Sequence, residues 1–138
     1  MYLLDTDVLS ELRKPARRAD AAVRRWVSGH DAEAFYLSVV TVLEVSIGIA
    51  RLRRRDVEQA ERLEKWLRDE VLDEFADRLL LIDVEVAQRT ALLHVPDPRP
   101  AQDALIAGTA VVHDLTVVTR NVKHFKPMGV RVINPFTQ

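Results

Sequence analysis

Short apolar runs alternate along the chain with segments whose apolar residues recur at helical spacing. The runs are expected to form five β-strands, at residues 2–4, 35–37, 79–82, 115–119 and 130–133. The segments between them are expected to form helices over residues 6–14, 21–29, 39–49, 57–75, 84–93 and 101–112. Apolar residues three and four positions apart share one face of a helix, so each patterned segment has a face to bury.

Local signals predict several helix ends. Thr6 is expected to cap the N-terminus of the first helix, and Ser38 that of the helix carrying Glu44. The first helix is expected to end near Lys14, because a proline disfavours helical backbone in the residue before it. The proline-rich segment 96–100 predicts a rigid loop.

The predicted strands are apolar throughout rather than alternating, which is typical of parallel strands buried on both faces. Strands that alternate with helices form α/β folds. We therefore expect an α/β fold with a central, mostly parallel β-sheet covered by helices on both faces. The sequence contains no internal repeat or linker, so residues 1–138 are expected to form a single domain.

Composition narrows the chemistry. The chain has 138 residues, no cysteine and a formal net charge of -1. Disulfide frameworks, thiolate metal sites and cysteine nucleophiles are therefore excluded, and any metal must be bound by oxygen or imidazole. No basic segment precedes an apolar stretch at the N-terminus, and no apolar run approaches the ~20 residues of a membrane span. We expect a cytoplasmic protein without a membrane segment.

Acidic residues follow the predicted strands, where ligands bind in open α/β sheets. Asp5 directly follows the first strand, Glu44 lies early in the helix after the second, and Asp103 lies in the first turn of an alanine-rich helix. Each acid has an ordinary alternative role as a helix cap, a complement to a helix dipole or a solvated charge. Glu44 is hardest to explain in that way, because residues 39–45 are otherwise almost entirely apolar and a buried carboxylate needs a partner.

A divalent cation would be a partner common to these acids. Carboxylates without thiols or a dense imidazole cluster favour a hard cation such as Mg²⁺ or Mn²⁺. Such an ion polarises a phosphate, lowers the pKa of bound water and neutralises a leaving oxygen. The residues therefore predict metal-dependent hydrolysis of phosphodiester bonds.

Several segments resemble the motifs of PIN-domain proteins, specifically the VapC toxins and their FitB-like relatives. These segments are residues 3–15 (LLDTDVLSELRKP), 36–44 (YLSVVTVLE), 103–110 (DALIAGTA), 117–125 (VVTRNVKHF) and 129–136 (GVRVINPF). The resemblance spans essentially the whole chain in family order. It implies a PIN-like fold and a Mg²⁺- or Mn²⁺-dependent endoribonuclease toxin of a type II toxin–antitoxin pair. It also implies an RNA substrate, a homodimer, and a cognate VapB-like antitoxin whose C-terminal segment covers the active-site groove.

The resemblance also implies roles for individual residues. The catalytic, metal-binding acids are expected to be Asp5, Glu44 and Asp103. Thr6 matches a frequent hydroxyl beside the first acid, and Thr119 and Asn121 match polar positions of the fourth motif.

The fourth motif departs from the family pattern. The family often has an aspartate at the position of Asn121 or of His124, and neither residue is acidic here. We therefore expect weaker binding of a second ion and a preference for Mn²⁺ over Mg²⁺, since imidazole is a poor ligand for Mg²⁺. If His124 approaches the metal, its protonation is expected to depress activity at acidic pH; otherwise His124 is a solvent-exposed bystander.

Two other functions remain open at this stage. One is a catalytically weak PIN domain that acts by binding RNA or antitoxin. The other is a haloacid-dehalogenase-type phosphohydrolase, with Asp5 as nucleophile and Asp7 as acid–base. That enzyme requires a later acidic pair, whereas residues 119–138 contain no acid. In a PIN domain, Asp7 either contacts the site or, as the sequence favours, is a structural residue at a helix start.

Two basic clusters are candidates for contact with RNA phosphates or, alternatively, ordinary solvated helix faces. They comprise Arg13, Lys14, Arg17, Arg18, Arg24 and Arg25, and Arg51, Arg53, Arg54 and Arg55.

Overall fold

Five parallel strands form one sheet in the computed structural model, which describes residues 1–137. The strands are β1 (Tyr2–Leu4), β2 (Phe35–Ser38), β3 (Leu79–Leu80), β4 (Thr116–Val118) and β5 (Val132–Ile133). Their order is β3-β2-β1-β4-β5, and Tyr2 of β1 is in register with Phe35 on one side and Thr116 on the other. The predicted parallel α/β fold is confirmed.

Helices connect successive strands. They are α1 (Thr6–Arg13), α2 (Ala21–Ser28), α3 (Val39–Arg53), α4 (Val57–Trp66), α5 (Leu72–Glu74), α6 (Val84–Leu93), α7 (Ala101–Val112) and α8 (Val122–Phe125). A π-helical turn, Leu67–Val71, joins α4 to α5. None of the helices within residues 1–137 is long and apolar enough to cross a membrane.

Both faces of the sheet are covered. Neighbouring strand residues alternate between two apolar clusters: Leu3 packs with Ile106 of α7 and Phe125 of α8, whereas Leu4 packs with Val8 of α1 and Val23 of α2. All six side chains are almost completely buried. This explains why the strands are apolar throughout and confirms the predicted helical layers on both faces.

Three local predictions need correction. The N-terminal cap of α1 is Asp5 and not Thr6, because the side chain of Asp5 accepts a hydrogen bond from the Thr6 N–H. The Thr6 hydroxyl does not cap the helix. The predicted third strand ends at Leu80 because its partner strand β2 ends at Ser38, which caps α3 instead of extending the ladder. The predicted helix over 57–75 is interrupted by the π-helical turn.

Helices α6 and α7 approach each other unusually closely at Gly108. A Cβ atom on this glycine would lie 2.0 Å from Oγ1 of Thr90 and 3.3 Å from its Cα. Only a residue without a side chain fits this crossing, which holds α7 and therefore Asp103 against the rest of the domain.

Candidate active site

Asp5 and Thr119 lie side by side where the strand order of the sheet reverses. From β1 the chain continues to β2 and β3 on one side, then returns to β4 and β5 on the other. Asp5 directly follows β1, Thr119 directly follows β4, and the Asp5 N–H donates to the carbonyl oxygen of Val118 (2.9 Å). The carboxyl ends of strands at such a point form the usual ligand crevice of an open α/β sheet.

The Asp5 carboxylate is buried, with only 5% of the residue exposed. Its Oδ1 accepts the Thr6 N–H (2.8 Å) and its Oδ2 accepts the Thr119 hydroxyl (2.7 Å). Burial raises the pKa of Asp5 from 3.8 to about 6, and the negative charges of Asp7 and Asp103 add to this increase. Asp5 is thus held in one orientation at a point where its negative charge is poorly compensated.

Glu44 is brought to the same region by α3. Its side chain is half-buried, and Oε1 accepts the hydroxyl of Thr6 at 2.7 Å. The same hydroxyl lies 3.4 Å from Oγ1 of the buried Thr41, one turn before Glu44 on α3. Burial raises the pKa of Glu44, and the charges of Asp103 and Asp7 raise it further.

Asp103 lies in the first turn of α7, where its Oδ2 is 2.7 Å from Nδ1 of His124. The His124 side chain is 51% exposed and that of Asp103 is 17% exposed. His124 therefore contacts one of the candidate acids rather than standing alone in solvent. Asn121 reaches the site through its backbone, whose N–H donates to Oγ1 of Thr119 (3.0 Å).

The predicted site residues therefore occupy one region. The charge of Asp103 raises the pKa of both Asp5 and Glu44, so the three acids interact although they come from distant parts of the chain. The Thr6 hydroxyl donates a hydrogen bond to Glu44, and the Thr119 hydroxyl donates one to Asp5. Both predicted hydroxyl residues therefore contact a candidate acid.

Two further residues belong to this region: Asp7, for which the sequence favoured a structural role, and Thr41, to which it assigned none. Asp7 accepts the Arg120 N–H through Oδ2 (3.0 Å), and its charge acts on both Asp5 and Glu44. Thr41 contacts Thr6. Their spacing in the sequence could have indicated this position, because Asp7 is two residues from Asp5 and Thr41 is one helical turn from Glu44.

A groove of about 370 Å³ lies beside Glu44, which lines it together with Thr6. Arg13, Arg55 and the half-buried Trp66 also line it. Neither arginine has an ion-pair partner within residues 1–137, so both positive charges are available to a ligand in the groove.

Other members of the basic clusters are already engaged. Arg53 forms ion pairs with Glu61 and Glu64, and Lys14 pairs with Glu11 (2.9 Å). These contacts match the solvated helix face that the sequence left open as an alternative.

The donor set fits a hard divalent cation in charge and chemistry. It offers carboxylate oxygens that are buried or half-buried and repel one another, and a cation would remove this repulsion. One carboxylate oxygen, Oδ1 of Asp7, is buried without a hydrogen-bond partner. Among residues 1–137, however, no group of three or more Asp, Glu or His side chains is placed so that it could hold a metal ion as the side chains stand.

A parallel sheet with acids at its switch point, one following β1 and others on α3 and α7, defines the class as a PIN-type α/β domain. A family model described as "PIN domain" matches residues 2–128. The chain belongs to this family.

Individual relatives narrow the assignment. The chain is 36% identical over 144 residues to the VapC ribonuclease Y4jK of Sinorhizobium fredii, covering 99% of this chain and 98% of that protein. It is 37% identical over 145 residues to Toxin FitB of Neisseria gonorrhoeae, covering 99% of each. The resemblance to VapC and FitB-like proteins is confirmed.

Solved structures agree with these relatives. The crystal structure of FitAcB from Neisseria gonorrhoeae superimposes with a TM-score of 0.88 at 35% identity, covering 98% of each chain. A structure of FitAB bound to an IR36 DNA fragment gives a TM-score of 0.89 at 33% identity, covering 100% of this chain and 97% of that one.

Proposed function

We propose that the protein is a metal-dependent endoribonuclease toxin of a type II toxin–antitoxin pair. The observation that carries the proposal is the meeting of Asp5, Glu44 and Asp103 at the switch point of the sheet, with raised pKa values for Asp5 and Glu44. Relatives named VapC ribonuclease and Toxin FitB, aligned over the full chain, support the same function.

Asp5, Glu44 and Asp103 would hold a Mg²⁺ or Mn²⁺ ion. When bound, the ion polarises the scissile phosphate and activates a water molecule for in-line attack. The acids compensate the charge of the ion, and the water-poor surroundings of Asp5 strengthen that attraction.

The surrounding polar residues position the acids. Thr119 fixes Oδ2 of Asp5, and Thr6 fixes both Oδ1 of Asp5, through its N–H, and Oε1 of Glu44, through its hydroxyl. His124 holds Oδ2 of Asp103. These contacts keep like charges close together before any ligand arrives, so less reorganisation accompanies binding.

RNA is the proposed substrate, and the groove beside Glu44 supports a path for it. Arg13 and Arg55 line the groove without ion-pair partners in the described residues, so they can contact backbone phosphates. We propose that the enzyme acts on RNA in the cytoplasm.

The test is an RNA cleavage assay with purified protein. Asp5→Asn, Glu44→Gln and Asp103→Asn are each expected to lower cleavage in Mn²⁺ by orders of magnitude, because each removes a charge that binds the ion. Glu33→Gln is the matched control, since this exposed acid precedes β2 at the opposite edge of the sheet. Full activity in Asp103→Asn or in saturating EDTA would contradict the proposal.

The same assay separates the two alternatives left open by the sequence. A catalytically weak PIN domain would bind RNA without metal-dependent turnover and without sensitivity to Asp5→Asn. The haloacid-dehalogenase alternative is wrong, because the chain belongs to the PIN family.

A VapB-like antitoxin is the proposed partner. FitAB, a close structural relative, is a two-component assembly solved with DNA. We expect a basic side chain of the antitoxin to enter the acidic site, because an empty cluster of like charges attracts a cation. Growth arrest on expression should disappear when the product of the neighbouring gene is co-expressed. If the product of the neighbouring gene neither binds this protein nor prevents growth arrest, this part of the proposal is wrong.

Homodimerisation is proposed as well. Four large apolar side chains in and beside α6 are 63–73% exposed: Leu81, Val84, Leu92 and Val95. Exposed apolar side chains at this density favour an interface. Light scattering of the purified chain should give twice the 15.7 kDa monomer mass, and a monomer mass would contradict the proposal.

A further inference from the structure

A cavity of about 480 Å³ lies next to Asp103 and is separate from the groove that Glu44 lines. We call it the α8 pocket, because its lining residues lie in α8 or close to it: Arg120, Asn121, Val122, Lys123, His124 and Asn134. His124 connects the pocket to the acidic centre, since its Nδ1 lies 2.7 Å from Oδ2 of Asp103. The volume is within the ~300–1,000 Å³ of typical ligand sites.

The α8 pocket is positively charged. Arg120 and Lys123 are both exposed on it, and neither side chain has an ion-pair partner within residues 1–137. Asn121 and Asn134 add neutral amide groups, and none of the lining residues in the described part of the chain is acidic. Such a cavity favours an anionic ligand. Neither cation belongs to the two basic clusters that the sequence singled out.

Arg120 is ordered at both ends of its structure. Its guanidinium lies over the ring of Phe136, 3.9 Å from the ring centroid, and Phe136 is itself buried in the core beside Val8. Its backbone N–H donates to Oδ2 of Asp7 at 3.0 Å. A guanidinium that is already held against a ring loses less conformational freedom when it binds a phosphate than a freely moving side chain does.

The α8 pocket and the groove lie on opposite sides of the acidic centre in the order of the sheet. Helix α3, which carries Glu44 into the groove, follows β2. Arg120 and Asn134 of the α8 pocket follow β4 and β5, which lie on the other side of β1. Asp5 follows the central strand β1 and therefore lies between the two cavities. A strand of nucleic acid that crosses the acids has unpaired basic residues on both sides of them.

We infer that the α8 pocket binds an RNA phosphate next to the scissile one, on the side away from the groove, through Arg120 and Lys123. This inference rests on the proposed RNA cleavage and extends the substrate path from one side of the acids to both. The acids repel the RNA backbone, and cations on both sides offset that repulsion. Contacts to phosphates on both sides also hold the scissile bond in one position.

Fluorescence anisotropy of an oligouridylate of about 12 residues in EDTA tests the inference without cleavage. Arg120→Gln and Lys123→Gln should each weaken binding several-fold and lower the slope of log K against log salt by about 0.7, the value for one lost contact to a single strand. Arg131→Gln is the matched control, because it removes an exposed positive charge just before β5, at the edge where the strands begin. Its slope should equal that of the wild type.

A further variant separates the phosphate contact from the packing on Phe136. Arg120→Lys keeps the charge but not the planar guanidinium, so it should retain the salt slope that Arg120→Gln loses. Thermal unfolding checks that each variant is folded. Lys123→Gln keeps the test valid if Arg120→Gln is unstable, because Lys123 is exposed.

The outcomes distinguish this inference from the proposed function. A wild-type salt slope in folded Arg120→Gln or Lys123→Gln, with a reduced slope in Arg55→Gln, would overturn the inference and leave RNA cleavage standing. If the two variants instead weaken binding of the neighbouring gene product and leave RNA binding unchanged, the α8 pocket is a protein contact and the inference is wrong. A wild-type protein that neither binds nor cleaves RNA would overturn the proposed function, and the inference with it.

Discussion

Replacing Asp5 with asparagine is expected to stabilise the metal-free protein near neutral pH while abolishing RNA cleavage. The Asp5 pKa is raised from 3.8 to about 6 by burial and neighbouring acids. The charged form is therefore disfavoured in the folded protein relative to the unfolded chain. A shift of this size corresponds to about 3 kcal/mol of lost folding free energy once the group is fully ionised.

The sign of the pH dependence follows from the raised pKa. Below pH 3.8 Asp5 is protonated in both states and costs nothing. The cost grows as the pH rises from 3.8 to about 6 and is complete above that range. Asparagine is a good helix cap and carries no charge, so the variant keeps the cap of α1 without this cost.

Urea unfolding in EDTA across this pH range measures the effect. The variant should exceed the wild type by about 3 kcal/mol near neutral pH, and the difference should vanish at low pH. Added Mn²⁺ should then stabilise the wild type and not the variant. Glu33→Gln, an exposed control, should follow the wild-type curve. Equal stabilities of Asp5→Asn and wild type at neutral pH would refute the reasoning.

Three further predictions concern other parts of the molecule. Gly108→Ala should lower the free energy of unfolding by about 1–3 kcal/mol, because the new Cβ overlaps Thr90. Adding Thr90→Ala to that variant should recover part of the lost stability. If the two substitutions instead destabilise the protein additively, the overlap is not the cause. Asn121→Asp should tighten Mn²⁺ binding in calorimetry by adding a carboxylate to the fourth motif, and unchanged affinity would contradict this. Arg55→Gln should reduce the salt dependence of RNA binding in EDTA, lowering the slope of log K against log salt by about 0.7, whereas the ion-paired control Arg53→Gln should not; equal slopes would remove Arg55 from the RNA path.

The position of the site could be predicted from sequence because it depends on where parallel strands end. Asp5 follows an apolar run directly, and Glu44 and Asp103 lie in the first two turns of helices that return across the sheet. The carboxyl edge of a parallel sheet brings such positions together whatever the details of packing. The fold class was predictable for a similar reason, since strands buried on both faces have an unbroken apolar pattern.

Contacts made by single side chains were not predictable in the same way. The Thr6 hydroxyl binds Glu44 rather than capping α1, and His124 contacts Asp103. These pairs depend on rotamers and on how loops meet, neither of which leaves a periodic signal in the sequence. The end of β3 likewise depends on its partner, because Ser38 leaves the ladder to cap α3.

The central pairing of β1 with β4 also determines when the protein can become active during its own synthesis. Thr119 donates to Asp5 across a separation of 114 residues, and β4 completes the ladder beside β1. While the ribosome is making the first hundred or so residues, β1 can pair with β2, but the other side of Asp5 has no neighbour. The acidic centre therefore assembles only after nearly the whole chain has emerged. A partly translated chain therefore lacks the complete acidic centre proposed for RNA cleavage.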